Sequence, residues 1–302
     1  MDVELRYLRY FIVAAEELNL TRAAERLFIA QPPLTRQIKQ LEDELGVQLF
    51  IRKPRGLELT IGGKHFLHQA YGIINRVDAS IKSTRQVALH RKKTFSIGFV
   101  PSVFYGQLPL MVRRLRRNKN LEIVLHELKT QEQIEALKSG KIDVGFGRIH
   151  IEDPDVDQKV LFNEPLIAAL PDAHPLTRRV PCLQQLSEMP MVAFPAGPAP
   201  NFSDMTLGLF HREGLQIEII QQVNDLQTAL ALVASGMGFA LVPEQVKKLH
   251  REGVEYVSVA DDNIRTPVII SRRTNDNPNA VMRLVNTILT EMVNNRLRGH
   301  YP

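Results

Sequence analysis

The stretch Leu20–Leu45, LTRAAERLFIAQPPLTRQIKQLEDEL, decides how this chain is read. At ~100° per residue, Leu34, Ile38, Leu41 and Leu45 fall in one narrow apolar arc, as a helix packed on a core requires. The opposite side carries Pro32, Arg36, Lys39 and Gln40, with Gln31 and Thr35 at its N-terminal edge. Arg can grip guanine and Gln adenine in bidentate fashion, while Lys and Thr suit phosphates. The acids Glu42, Asp43 and Glu44 would repel DNA. They lie beyond the contact end, which fits insertion by the N-terminus of the helix.

The flanks complete a winged helix-turn-helix. Leu5, Leu8, Phe11, Ile12 and Ala15 describe a first amphipathic helix. Thr21 reads as the N-cap of the second, and Ala23, Ala24 and Leu27 permit a close helix crossing. Phe28-Ile29-Ala30 makes the turn, Pro32 and Pro33 suit a first helical turn, and Gly46 is a helix stop. Leu49–Thr60 reads as two short strands around Pro54-Arg55-Gly56, with Arg55 at a wing tip able to enter a minor groove. The predicted DNA-contacting set is Thr21, Gln31, Pro32, Pro33, Thr35, Arg36, Lys39, Gln40 and Arg55.

These motifs resemble the LysR-type transcriptional regulators. The resemblance rests on Ala23-Ala24-Glu25-Arg26-Leu27, Ala30-Gln31-Pro32-Pro33-Leu34-Thr35-Arg36-Gln37-Ile38, Leu41-Glu42, Leu45-Gly46, Leu49-Phe50 and Leu59-Thr60 with Gly62 or Gly63. It implies a tetramer of DNA-binding protomers, a ligand-sensing domain and control of a nearby promoter. Ala30 stands where many relatives have a Ser able to cap the recognition helix. Ile61-Gly62-Gly63 replaces commoner small and acidic variants and is expected to soften the start of the next helix.

Length and charge set further limits. The 302 residues suggest about two domains, and 44% hydrophobic residues suffice for real cores. No apolar run approaches the ~20 residues of a membrane span, and Met1–Arg6 has no signal-peptide character. One cysteine, Cys182, excludes an intrachain disulfide, so a cytoplasmic location is expected. The net charge of +5 is unevenly spread. Residues 1–60 hold nine Lys/Arg against nine Asp/Glu, whereas residues 61–93 hold seven against one. Placement of residues, rather than overall basicity, therefore carries the DNA reading.

Residues 61–90 read as a linker helix. Phe66, Ala70, Ile73, Val77, Ile81, Thr84 and Ala88 repeat at alternating threes and fours, the seam of a dimerising coiled coil. About 25 residues give roughly 38 Å of helix. His65 and His68 have no further ligand nearby and read as surface residues, so no metal or cofactor is expected.

In residues 91–302, strand and helix patterns alternate, which argues for parallel βαβ units in an α/β effector domain. Helices are predicted at about 104–118, 131–139, 203–213, 226–235 and 279–297. The order resembles the two-lobed periplasmic-binding-protein fold of LysR sensors. That implies lobe I at 94–163 and 268–302 and lobe II at 164–267.

Helix starts suggest the ligand site. Ser102 after Pro101, Thr130 with Gln133 as a capping box, and Asn201-Phe202-Ser203 would bring three helix N-termini together from two lobes. Such a cluster favours a carboxylate, with Arg148 as a charged clamp or a surface ion pair. Gly98–Ser102, Gly147-Arg148, Pro200–Phe202 and Leu226–Leu230 further resemble the LysR subgroup controlling catechol, chlorocatechol and benzoate breakdown. That resemblance implies a muconate-like inducer at Ser102, Thr130, Asn201 and Phe202, and an aromatic-acid site near Arg148 in some members. Lys129 changes the local charge relative to some of them.

The expected function is a promoter-binding regulator, most simply an activator of an aromatic-compound degradation operon. Its expected partners are double-stranded promoter DNA, RNA polymerase, a small organic acid and further copies of the chain. No strained nucleophile elbow, Cys-His pair, HExxH or Walker loop points to an enzyme. The missing signal peptide and the DNA-reading helix argue against a solute-binding transport protein. A constitutive DNA-binding regulator or a repressor is the alternative.

Overall fold

In this computed structural model, residues 3–54, 56–88, 92–106, 108–261, 263–274, 276 and 280–297 are described. The chain forms two compact units, residues 1–91 with 138–141, and residues 92–137 with 142–302.

The first unit contains α1 (Leu5–Glu17), α2 (Leu20–Arg26), α3 (Gln31–Leu45), β1 (Phe50–Lys53), β2 (Gly56–Leu59) and α4 (Ile61–Ala88). Its core gathers Leu8, Phe11 and Ile12 of α1, Ala23 and Ala24 of α2, Leu34, Ile38 and Leu41 of α3, and Leu49 and Phe50. Leu5, predicted to face this core, is 41% exposed; Tyr7 takes a buried place instead. The small Ala23 and Ala24 let α2 lie close between its neighbours. The N-cap of α2 is Asn19 rather than Thr21: the Asn19 carboxamide oxygen accepts from the Thr21 and Arg22 N–H groups at 2.9 and 3.1 Å. Asn19 and Thr21 are both residue types that can cap, and the cap falls two residues earlier than the sequence pattern suggests.

The wing packs tightly on the helices. β1 and β2 are antiparallel, pairing Phe50 with Leu59 and Lys53 with Gly56. Arg55, at the tip, lies outside the described residues. Leu18 ends α1 in the left-handed region at φ 47°, and its carbonyl accepts from Leu57 N–H at 2.7 Å. Glu42 carries a role that its charge alone does not suggest. Its Oε1 accepts from the N–H groups of Leu49 and Phe50 at 2.7 and 3.1 Å, tying α3 to the wing.

The linker seam divides. Phe66 and Ala70 pack into the core of their own unit, so two of the seven expected seam positions are spent within the chain. Ile73 and Ile81 stay 43% and 44% exposed. The helix begins at a Thr60 cap, whose hydroxyl accepts from Gly63 N–H at 2.8 Å. Among the described residues no helix is long and apolar enough to cross a membrane.

The second unit runs β3 (Lys93–Phe99), α5 (Pro101–Phe104), α6 (Leu108–Leu115), β4 (Leu121–Glu127), α7 (Thr130–Lys138), β5 (Val144–Gly147) and β6 (Val156–Pro171). Then follow α8 (Leu183–Ser187), β7 (Met191–Ala193), α9 (Phe202–Arg212), β8 (Ile219–Gln222), α10 (Leu226–Ala234) and β9 (Ala240–Pro243). β10 (Val254–Ser258), β11 (Arg265–Arg273) and α11 (Ala280–Leu297) complete it.

Two lobes with separate cores share two long strands. One core draws on β3, β5, α6, β11 and α11, the other on the second half of β6 with β7, β9, α9 and α10. Strand β6 pairs with β11 along its first part, with Asn163 opposite Pro267, and with β9 and β10 along its last. The sheets are therefore mixed, not wholly parallel. β3 is parallel to β4 and β5, and β7 to β8, whereas every pairing of β6 and β11 is antiparallel. A chain that crosses from one lobe to the other and returns must run its two crossing strands in opposite directions. The helix predicted from residue 104 is split in two, α5 and α6, around Tyr105 and Gly106.

Candidate nucleic-acid interface and effector cleft

Helix α3 buries one side and bares the other. Leu34, Ile38 and Leu41 are 0%, 6% and 0% exposed, while Gln31, Pro32, Arg36, Lys39 and Gln40 are exposed and Pro33 and Thr35 half-buried. Its N-cap residue, Ala30, offers no side-chain acceptor, and prolines occupy the first turn, where no N–H is needed. Arg36 and Lys39 form no ion pair among the described residues. Other cations of the unit are partly neutralised: Arg26 meets Glu16 at 2.5 Å and Glu17 at 3.2 Å, and Arg22 meets Glu17 at 2.8 Å. Glu16 also accepts a hydrogen bond from the Tyr71 hydroxyl of α4. Burial, then this hydrogen bond, push the Tyr71 phenol up to about 12.

Three of the predicted contact residues are placed with qualifications. Thr35 donates its hydroxyl to Gln31 O at 3.1 Å, back along its own helix. Gln40 accepts from the Tyr7 hydroxyl at 3.2 Å, so its side-chain oxygen is already engaged. Thr21 is exposed at the start of α2 but does not cap it. Arg52 was not in the predicted set. It is exposed on β1 and lines, with Thr35, Lys39 and Gln48, a groove of about 390 Å³ between α3 and the wing. Only the folding of the wing against α3 reveals it, although an Arg on a strand beside a reading helix was a usable signal.

In the second unit the cleft residues come together around the end of β5. The Thr130 hydroxyl oxygen lies so near Gly147 that a Cβ there would meet it at 3.1 Å. The next residue, Arg148, donates from Nε to the Ser102 hydroxyl at 2.8 Å and from Nη2 to Ser102 O at 3.1 Å. Nη2 also meets Glu164 Oε2 at 2.8 Å. Arg148 is therefore neither a surface ion pair nor a free clamp, because its charge is balanced inside the protein. The other carboxylate oxygen of Glu164 accepts from Gln245 N–H at 3.0 Å.

Helix starts differ from the predicted pattern. Helix α5 has only four residues, too short for a helix dipole, so Ser102 contributes as a hydroxyl. Thr130 is the first residue of α7, not its cap, and Gln133 forms no capping box with it. Gln133 Nε2 instead donates to Leu128 O and Phe146 O at 2.9 and 3.1 Å, while Glu132 accepts from Lys129 N–H at 2.9 Å. Asn201 does cap α9. Its Oδ1 accepts from Asp204 N–H at 3.2 Å, and Asp204 accepts in return from Asn201 N–H at 2.8 Å. The Asn201 amide also donates to Gly197 O and Pro198 O at 3.1 and 3.3 Å. Phe202 is buried at 8% exposure, with its ring 5.3 Å from that of Phe194.

Beside Arg148 lies a cavity of about 30 Å³, lined by Val103, Met111, Phe146, Leu161, Phe162 and Met292 among others. It has room for a water molecule and not for an aromatic ring. Besides the Arg148–Glu164 pair, side chains join the two lobes at the cleft at two further places among the described residues. Gln227 Nε2 donates to the Tyr105 hydroxyl at 3.2 Å, and Lys129 Nζ to Ala196 O at 3.4 Å. Gln227 sits in the first turn of α10, capped by Asp225. Bonds from Thr228 N–H and hydroxyl hold the Asp225 carboxyl below its ordinary range.

Comparison with known proteins matches both units. Residues 5–64 fit the model for the bacterial regulatory helix-turn-helix protein of the lysR family, and residues 89–293 fit the LysR substrate binding domain. The transcriptional regulator CatR of Pseudomonas putida is 46% identical over 286 residues, covering 95% of this chain and 98% of its own. BenM of Acinetobacter baylyi is 39% identical over 290 residues, 95% of each. Its full-length crystal structure aligns with a TM-score of 0.64 at 36% identity over 99% of both chains. The effector binding domain of BenM has been solved with its effector benzoate. Full-length CbnR, solved with its target DNA, aligns with a TM-score of 0.66 at 30% identity, covering 97% of this chain and 99% of its own. With a bared reading helix in one unit, a two-lobed cleft in the other and family matches across both, this chain belongs to the LysR family of DNA-binding transcriptional regulators.

Proposed function

We propose that the chain activates an operon for aromatic-compound breakdown in response to a small organic acid. Residues 1–60 form its DNA-binding domain, 61–90 its dimerising linker helix and 91–302 its effector domain in this reading. The lobes are 94–163 with 268–302, and 164–267. The observation that carries it is the outer face of α3. There Arg36 and Lys39 stand exposed and without carboxylate partners among the described residues, as a major-groove reader requires. Gln31, Pro32 and Thr35 flank them at the end that enters the groove, and Arg52 approaches phosphate from the wing.

The effector binds between the lobes against Ser102, Thr130, Asn201 and Phe202. Arg148 holds Ser102 in place and does not touch the ligand. Benzoate serves BenM as an effector, and muconate-like diacids fit the same polar cleft ends. Lobe closure shifts a pre-existing balance between two shapes of a homodimer or homotetramer, changing how promoter DNA is bent and letting RNA polymerase engage in the cytoplasm.

Fluorescence anisotropy with a promoter fragment from upstream of such an operon tests this. Arg36→Ala is expected to cost about 1–3 kcal/mol of affinity and to relax base preference at one position. Adding cis,cis-muconate or benzoate is expected to alter the footprint. A footprint indifferent to both acids points to a constitutive regulator, and unchanged affinity in Arg36→Ala overturns the reading face.

A further inference from the structure

Among the side-chain links between the lobes, the one made by Lys129 is chemically mismatched. Its ammonium, exposed at the cleft edge, donates at 3.4 Å to the neutral carbonyl of Ala196. An ammonium gains more from a carboxylate than from one neutral acceptor. Among the described residues Lys129 makes no ion pair. Of the acids around it, Glu132 accepts from the backbone N–H of Lys129 itself and Asp204 from that of Asn201. The other cation of the cleft, Arg148, is 3% exposed and balanced by Glu164. Lys129 is thus an exposed positive charge that the cleft edge can offer an incoming anion.

Its position suits that task. Lys129 directly precedes Thr130, whose hydroxyl lies at the end of β5, and its ammonium reaches the loop that leads to Asn201 and Phe202. A Cβ on Gly197, which has φ 140°, would come within 3.4 Å of the Lys129 nitrogen, so the ammonium rests on bare backbone at that lip. The hydroxyls of Ser102 and Thr130 and the first N–H groups of α7 can hold one carboxylate without a formal charge.

We propose that Lys129 determines effector specificity by selecting dicarboxylates over monocarboxylates: its ammonium leaves Ala196 O and pairs with the second carboxylate of a small diacid. This rests on the cleft between the lobes being the effector site, and it adds the residue that reads the effector's second charge.

The test is isothermal titration calorimetry on the full chain, comparing the unaltered protein with Lys129→Met and Lys129→Arg. The probes are cis,cis-muconate and cis,cis-hexadienoate, the same six-carbon diene with a methyl group in place of one carboxylate. The unaltered protein is expected to prefer the diacid. Lys129→Met should weaken the diacid about tenfold or more, while the monoacid stays within about threefold, and Lys129→Arg should keep the preference. Added salt should weaken diacid binding more in the unaltered protein than in Lys129→Met. Equal losses for both acids would mark Lys129 as an interlobe latch only and overturn the proposal, as would no loss at all. If the unaltered protein binds neither acid, the cleft reading itself falls and the proposal with it. Should Lys129→Met fail to fold, Lys129→Gln supplies the same comparison.

Discussion

Arg148 and Glu164 form an ion pair at 2.8 Å in which the side chains are only 3% and 2% exposed. They stand at the end of β5 and on the crossing strand β6, and the pair also engages Ser102 and Gln245 N–H. Breaking one side strands a buried charge. Arg148→Met is expected to destabilise the effector unit by about 3–5 kcal/mol, whereas Arg148→Met with Glu164→Leu recovers much of it. Thermal unfolding followed by circular dichroism measures both. Equal destabilisation of the single and double variants would show that hydrogen bonding to Ser102 and Gln245, not charge balance, dominates.

Two adjacent glycines at the start of α4 differ in what surrounds them. A Cβ on Gly63 would lie 2.0 Å from Leu49 O, a backbone atom that cannot swing aside, whereas Gly62 has nothing closer than 3.6 Å. Gly63→Ala should therefore cost about 2 kcal/mol or more. Gly62→Ala should be neutral or stabilising by up to about 1 kcal/mol, through helix propensity. Urea denaturation of the two variants compares them directly, and equal effects would refute the packing argument.

Asp225 lends α10 a pH-dependent cap. Its carboxyl is held low chiefly by the Thr228 N–H, so the folded state favours the ionised form. A depressed folded value means that the stabilisation is fully present above the ordinary carboxylate range of about 4 and fades as pH falls through the folded value. Asp225→Ala should lose about 1 kcal/mol at neutral pH, and the gap to the unaltered protein should close in acid. Melting curves across that range read it; Asp225→Asn, which keeps a neutral cap, should itself lack this pH dependence, so its deficit too should shrink in acid.

Lys39 is exposed on α3 beside Arg52 in the groove facing the wing. If it meets phosphate rather than a base, Lys39→Ala should weaken binding uniformly across promoter sequences. It should also reduce the slope of log affinity against log salt by about 1. A change in sequence preference instead would place Lys39 among the base readers.

The reading helix was legible from the sequence because its evidence is local. Leu34, Ile38 and Leu41 lie within two turns of one another, and their burial follows from helical spacing whatever the partner is. The Asn201 cap was legible for the same reason, since Asp204 is three residues away. The Thr130–Gln133 box had equally good spacing and did not form: Gln133 found better acceptors in Leu128 O and Phe146 O, the latter thirteen residues distant. The linker seam likewise had the right period, yet Phe66 and Ala70 were drawn into a core assembled from α1 and the wing.

By itself, the order of residues determined which helices form, which sides they bury, and that a DNA-reading unit precedes a two-lobed α/β unit. These follow from contacts a few residues long and from spacing that survives in any surroundings. The tertiary structure decided which charges are spent and which are free. Glu42 ties down Leu49 and Phe50, Glu164 neutralises Arg148, and Lys129 reaches a carbonyl 67 residues away. Electrostatic pairing depends on distance in space and on burial, and neither is written along the chain until the fold brings remote segments together.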